Sequence, residues 1–181
     1  MMKFPRSLLE GYTLAALSPT EEPLVQALCE RCADYIELVA GLPPSPELTH
    51  DLYTLLPEGK GYEDKILLGI FAGPAELVGL LDAVRDYPTQ GVWFLGLLLF
   101  EPARRGQGLG EKIYRAFEGW AKTLGAQSIR LSVAQQNEKA SRFWQHLGFE
   151  EIERRPPEVF GAKESVFILM SRPLPPNTTF P

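Results

Sequence analysis

Between residues 20 and 41 the apolar positions Leu24, Leu28, Ile36 and Val39 recur at helical spacing. Thr20-Glu21-Glu22 puts acids where such a helix begins. The Pro43-Pro44-Ser45-Pro46 cluster must break the run. A second, shorter helix is expected over 47–56, opened by Ser45 or Pro46 and ended by Pro57 and Gly59. A short strand, 11–17, precedes both helices, and 60–64 reads as an exposed loop. From Lys65 onward the period changes. The runs 66–71, 76–85 and 92–100 are nearly continuous in apolar residues, as in central strands covered on both faces. Short Gly/Pro turns between them suggest an antiparallel meander. Leu109, Ile113, Ala116, Phe117, Trp120 and Leu124 return to helical spacing, with Gly125 at the C′ position. Ile129, Leu131 and Val133 alternate as a strand over 128–134. Asn137 can cap a further helix that Gly148 ends, and 150–155 and 165–172 read as closing strands around a Pro/Gly loop. The order is β, α, α, β, β, β, α, β, α, β, β. It predicts a mixed sheet with helices on its faces.

At 181 residues, 45% hydrophobic and 23% charged, the chain suits one globular domain. We expect that domain over 1–172, followed by a proline-rich tail over 173–181. The formal charge of −5 argues against a nucleic-acid surface. Cys29 and Cys32 have C-x-x-C spacing, but no second Cys or His pair follows at zinc-ligand spacing. They read as small buried thiols in a reducing compartment, and no metal is expected. Lys3 and Arg6 precede an apolar stretch that Glu10 and Gly11 interrupt, unlike a signal peptide. The run 92–100 is too short to span a bilayer as a helix. A cytoplasmic protein without a membrane partner is the expectation, as monomer or homodimer.

The chemistry begins at Arg104-Arg105-Gly106-Gln107-Gly108-Leu109-Gly110, between a strand and an amphipathic helix. Glycines let backbone approach a ligand closely, and a helix N-terminus offers unpaired N–H groups to a phosphate. A Walker loop needs G-x-x-x-x-G-K-[ST], which is absent. A dinucleotide fingerprint needs G-x-G-x-x-G and an acid after the next strand. Here the glycines are Gly106, Gly108 and Gly110, and that strand ends in Val133-Ala134-Gln135.

The segment Arg105-Gly106-Gln107-Gly108-Leu109-Gly110 resembles the [RQ]-x-x-G-x-[GA] motif of the GNAT superfamily of acyl-CoA-dependent N-acetyltransferases. Leu98-Leu99-Phe100-Glu101-Pro102 is similar to the strand that precedes that motif. The run from Asn137 to Phe149 resembles a second family signature, N-x-x-A-x-x-F-Y-x-x-x-G-F, departing from it at Trp144. The resemblance implies a mostly antiparallel sheet of about six to seven strands with helices on both faces. It implies acetyl-CoA as co-substrate and an amine of a small molecule or peptide as acceptor. Backbone N–H groups of Arg105, Gly106, Gln107, Gly108, Leu109 and Gly110 would hold the CoA pyrophosphate. Backbone groups of Leu98, Leu99 and Phe100 would pair with the pantetheine arm. Asn137 would contact that arm, cap its helix, or do both. Trp144 would neighbour the thioester.

The implied reaction is direct attack of the amine on the thioester, without a metal. An alkylammonium of pKa about 10 must first lose a proton. Asp82 lies in the apolar stretch 77–84 and is the candidate base, although alternation could equally place it on a solvated face. The N–H of Leu99 is a candidate donor to the developing oxyanion. Tyr35, Arg85 and Tyr87 are candidates for the acceptor pocket. The family's usual proton donor is a tyrosine where this chain has Trp144, and an indole is no practical acid. Ser141, Tyr87 or Tyr35 could serve instead, or the thiolate could leave unaided. A module that binds or senses acyl-CoA without efficient transfer is the alternative.

Overall fold

The computed structural model describes residues 11–175. Among these described residues nine strands form in chain order. Two of them, β7 (Glu158–Phe160) and β8 (Lys163–Ser165), pair only with each other. The other seven are β1 (Tyr12–Ala16), β2 (Lys65–Ala72), β3 (Glu76–Val84), β4 (Val92–Phe100), β5 (Ser128–Ala134), β6 (Glu150–Arg154) and β9 (Phe167–Pro173). They make one sheet in the order β1-β2-β3-β4-β5-β9-β6. Every neighbouring pair in it is antiparallel except β4 and β5, which are parallel and joined through the crossover helix α4 (Leu109–Thr123). The mixed, mostly antiparallel architecture expected from the sequence is the one observed.

The near-continuous apolar character of β2 to β4 has a direct cause, since both faces are covered. On one face Ile113, Phe117 and Trp120 of α4, with Trp144 and Leu147, pack against Ile70, Val78, Leu81, Trp93 and Ile129. On the other, helices α1 (Glu22–Arg31), α2 (Ala33–Ala40) and α3 (Pro46–Thr54) supply Val25, Leu28, Ile36 and Tyr53 against Leu67, Leu80 and Leu99. Removing side chains of this size from water contributes about 1.5–3 kcal/mol each. The edge strand β6 is exposed along its length and carries Glu150, Glu151, Glu153 and Arg154. Such charges discourage pairing with another chain.

Three local outcomes differ from the sequence reading. The expected helix over 20–41 is interrupted at Cys32, whose ψ of 22° leaves the helical range. The contacts that hold the two pieces are tertiary. Arg31 at the end of α1 reaches Glu101 at 2.9 Å and the Leu77 carbonyl at 2.6 Å, while Asp34 in α2 pairs with Arg105. The loop between the last two segments expected as strands is itself a hairpin, β7–β8, turned by Gly161 at φ 64°. It docks on the end of α2, where the Ala162 N–H meets the Ala40 carbonyl and Lys163 Nζ meets that of Leu38, both at 2.8 Å. A lysine there also complements the negative end of the helix dipole. Finally, Pro173 pairs with Ser128 and Leu174 is buried, so sheet and core continue into the stretch expected as a tail. Residues 176–181 of that stretch lie outside the described residues.

Candidate active site

Strands β4 and β5 pair only from Val92↔Ser128 to Leu95↔Leu131. Beyond Leu95 the two strands part. β4 stays paired with β3 up to Phe100, and β5 stays paired with β9 up to Ala134. A V-shaped slot therefore opens between Gly96–Phe100 and Ser132–Ala134, and the β4 groups that face it lack a strand partner. A β-bulge marks the apex, because Asp82 pairs with Leu97 while Ala83 pairs with Leu95. Gly96 is the extra residue, and it is exposed in the middle of an otherwise apolar strand. A glycine inside a strand is the ordinary signal for such a bulge.

Which β4 groups face the slot follows from the ladder. The Glu101 N–H bonds to the Val78 carbonyl at 3.0 Å. Opposed residues in an antiparallel pair alternate between bonded and non-bonded positions, so Leu99 and Leu80 form the next bonded pair. The Leu99 N–H is thus committed to β3. This corrects the expectation that it stabilises the oxyanion; Leu98 and Phe100 present their N–H groups to the slot. The Phe100 carbonyl, on the same side, is taken by Arg105 Nε at 2.7 Å.

The glycine turn lies at the mouth of the slot. Gly106 and Gly108 have φ of 73° and 76°, a left-handed backbone that residues with a Cβ adopt at a cost. No atom lies within 4 Å of where either Cβ would stand, so space above the turn is open. Gly110 serves differently, since its Cβ would sit 3.3 Å from Phe143 and 3.6 Å from Phe100. It lets α4, α5 (Glu138–His146) and β4 converge. Gly108 is the N-cap of α4 and no side chain caps it among the described residues. The first-turn N–H groups of α4, with the dipole behind them, point into the open space.

Arg105 has a different job from the one its place in the motif suggests. Its N–H is already bonded to the Pro102 carbonyl at 3.2 Å. Its guanidinium grips Asp34 through two bonds, one of 3.1 Å, and holds that carboxyl below the usual range. Arg105 therefore ties the turn to α2, and its own N–H is already committed.

Asn137 caps α5, accepting from the Ala140 N–H at 3.2 Å. Its own N–H bonds to the Ala134 carbonyl at 2.8 Å, so it sits just past the end of β5, on the far wall of the mouth. Replacing Asn137 by alanine should cost about 1 kcal/mol through the lost cap. Thermal unfolding without ligand checks that, and a smaller acetyl-CoA-induced shift in the same variant would show a direct contact as well.

Asp82 sits beside the bulge. Its Oδ2 would be 3.1 Å from a Cβ on Gly96, so the carboxylate lies against the exposed glycine. It faces the side of the sheet that carries α1 to α3, with 15% of its side chain exposed. Lys65 Nζ stands 2.9 Å from Oδ1 as an ion pair, outside the directional range of a hydrogen bond. Burial pushes the carboxyl above its ordinary range, and the Lys65 charge opposes but does not cancel this.

The other expected residues divide. Tyr35 packs in the cluster that contains Leu97 and Leu99, and burial raises its hydroxyl pKa. Tyr87 stands at the β3–β4 turn with its ring edge-on to Phe94 at 5.9 Å, and Arg85 pairs with Asp64 at 2.9 Å beside it. Both lie at the opposite end of β4 from the glycine turn. Trp144, the candidate neighbour of the thioester, turns its indole into the core. It is buried in an aromatic cluster, edge-on to Tyr114, Phe143 and Phe149 at 5.6, 4.8 and 5.2 Å. The apolar stripe of α5 claims it for the core. The thiols of Cys29 and Cys32 are free and buried, and burial lifts Cys32 to about 11, the reverse of a reactive redox pair. Sequence reasoning missed Gly96, Lys65 and two further residues, Arg130 and Ser132. The alternation that puts Ile129, Leu131 and Val133 in the core already turned those two to the other face.

No helix among the described residues is long and apolar enough to cross a membrane. A model of the acetyltransferase (GNAT) family matches residues 24–149. An acetyltransferase from Thermus thermophilus is similar in structure, with 28% identity and a TM-score of 0.75 over 91% of this chain and 98% of that one. The ribosomal-protein-S18-alanine N-acetyltransferase of Escherichia coli shares the fold at 17% identity and a TM-score of 0.67, over 93% and 99% of the two chains. A spermidine N-acetyltransferase of Vibrio cholerae, solved with CoA and spermine, does so at 19% and 0.69, over 90% and 95%. No curated protein matches the chain. The family match spans more than half of the sequence, over the parted strands, the open turn and the helix that starts from it, and the chain belongs to the acetyltransferase (GNAT) family.

Proposed function

We propose that the protein moves an acetyl group from acetyl-CoA to a primary amine by direct attack, with Asp82 as the base. The observation that carries this is the slot, with unpaired β4 backbone along one wall, an uncapped helix N-terminus at its mouth and a carboxylate at its apex. The residues suit the cofactor. Backbone N–H groups from Gly106 to Gly110 would hold its pyrophosphate, and Leu98 and Phe100 would pair with its pantetheine arm. When bound, acetyl-CoA supplies an activated acetyl carbon, whose C–S bond is exchanged for a C–N bond. Asp82 takes the proton that the amine must lose. The Leu98 N–H donates to the carbonyl oxygen as charge develops on it. A thiol of pKa about 8.5 leaves as thiolate near neutral pH without a dedicated acid, so burying Trp144 does not stop the reaction. The reading treats the chain as one catalytic domain, and the cytoplasmic location rests on the two free thiols.

Saturating acetyl-CoA, at about 100 times its Kd, should raise the unfolding temperature by about 5–10 °C, and NAD should not. Absence of that shift would refute the cofactor assignment. Release of CoA thiol in the presence of amines measures turnover. Binding without release for any amine would favour the acyl-CoA-sensing alternative.

A further inference from the structure

Arg130 is the unexplained charge of this fold. It lies on β5 between Ile129 and Leu131, which point into the α4–α5 core, so Arg130 and Ser132 face the side that carries Asp82. Its Nε is buried and has no hydrogen-bond partner among the described residues, and no ion pair there includes it. The Ser132 Oγ, two residues on, is buried and unpartnered too. The strands on either side offer no counter-charge, since Arg130 stands opposite Phe94 on β4 and Ser171 on β9. A buried donor without an acceptor costs stability.

The position gives this orphan a role. Arg130 pairs one step before Leu95, the last residue at which β4 and β5 are joined. It therefore lies below the apex of the slot. The cofactor enters from the opposite end, where α4 begins, so the acceptor must reach the apex from the Arg130 side. On standard sheet spacings the Cα atoms of Arg130 and Asp82 are about 12 Å apart, and their side chains shorten that span to the length of a small molecule.

We propose that Arg130 is the anchor for an anionic group on the acceptor, with Ser132 as an accessory donor, so that the substrate class is an amine that also bears a carboxylate. The assignment rests on the acetyltransferase reading above. Its carboxylate would take the bidentate fork of the guanidinium while the amine lies at Asp82. The chain's formal charge of −5 does not oppose this, because the local field at the acceptor's tail is set by an uncompensated cation.

The test uses matched probes that differ only in the anion: amino acids, their primary amides and the corresponding decarboxylated amines. Thermal shift in the presence of CoA reads binding, and thiol release with acetyl-CoA reads turnover. The wild-type protein should be stabilised by at least one amino acid and not by its amide, with KM at least tenfold lower for the acid. Arg130→Gln should erase that preference by raising KM for the acid with little change for the amide, and Arg130→Lys should restore part of it. Arg130→Gln must keep the acetyl-CoA-induced shift, which shows that it is folded. If it does not fold, the comparison of acid with amide in the wild-type protein still decides. Equal KM for acid and amide, or no stabilisation by any carboxylate-bearing amine, overturns the proposal. Loss of acetyl-CoA binding by the wild-type protein would instead overturn the parent reading.

Discussion

Asp82→Asn is expected to lower kcat/KM by roughly 10²–10⁴-fold while leaving acetyl-CoA binding intact. The amide keeps the shape of the carboxyl beside Gly96 but cannot accept a proton. Burial holds the Asp82 carboxyl above the ordinary value near 3.9, despite the ammonium of Lys65 at 2.9 Å. The base works only when ionised. The wild-type rate should therefore fall as pH drops through a pKa above the usual carboxylate range. Lys65→Met removes the charge that favours the ionised form, so the acid limb should move to still higher pH. A pH–rate profile of kcat/KM for the three proteins checks the direction. An unchanged acid limb in the Asp82→Asn variant would remove Asp82 from the chemistry, and a Lys65→Met limb displaced to lower pH would show that another group titrates.

The second large effect is at the glycine turn. Gly108→Val is expected to abolish the stabilisation by acetyl-CoA and to raise KM for it by more than about tenfold. Two causes act together. At φ 76° the backbone is left-handed, which costs a residue with a Cβ about 1–2 kcal/mol and a β-branched one more. The added side chain also projects into open space over the first N–H groups of α4, where the pyrophosphate is expected. The first cause lowers the unfolding temperature without ligand; the second appears only with it. If acetyl-CoA still stabilises the Gly108→Val variant as strongly as wild type, the anion site lies away from this turn.

Much of this architecture was written in local pattern. Ser128–Ala134 was readable to the residue because alternation and flanking turns agree there, and α4 because its apolar stripe ends in a glycine at φ 92°. The Asn137 cap was equally visible, since capping needs only the residue and the next turn. The break at Cys32 and the β7–β8 hairpin were not, because each is held by partners distant in sequence: Leu77, Glu101 and Arg105 for one, the end of α2 for the other. The site divides in the same way. Spacing alone located the glycine turn, whose shape lies in its own backbone. The Arg105 side chain was not legible, because it answers to Asp34 and Phe100, which no local pattern announces.

The sequence by itself determined most of the elements, their order and the place of the glycine turn, because periodicity, caps and glycines act over a few residues. Only the tertiary structure decided which groups face the slot. The ladder to β3 took the Leu99 N–H and left Leu98 to the slot. The core took Trp144. The bulge at Gly96 brought Asp82 to the apex with Lys65 beside it. The end of the β4–β5 pairing left Arg130 below that apex without a partner among the described residues. Each outcome depends on which strand lies next to which, and burial and register exist only once distant segments have packed.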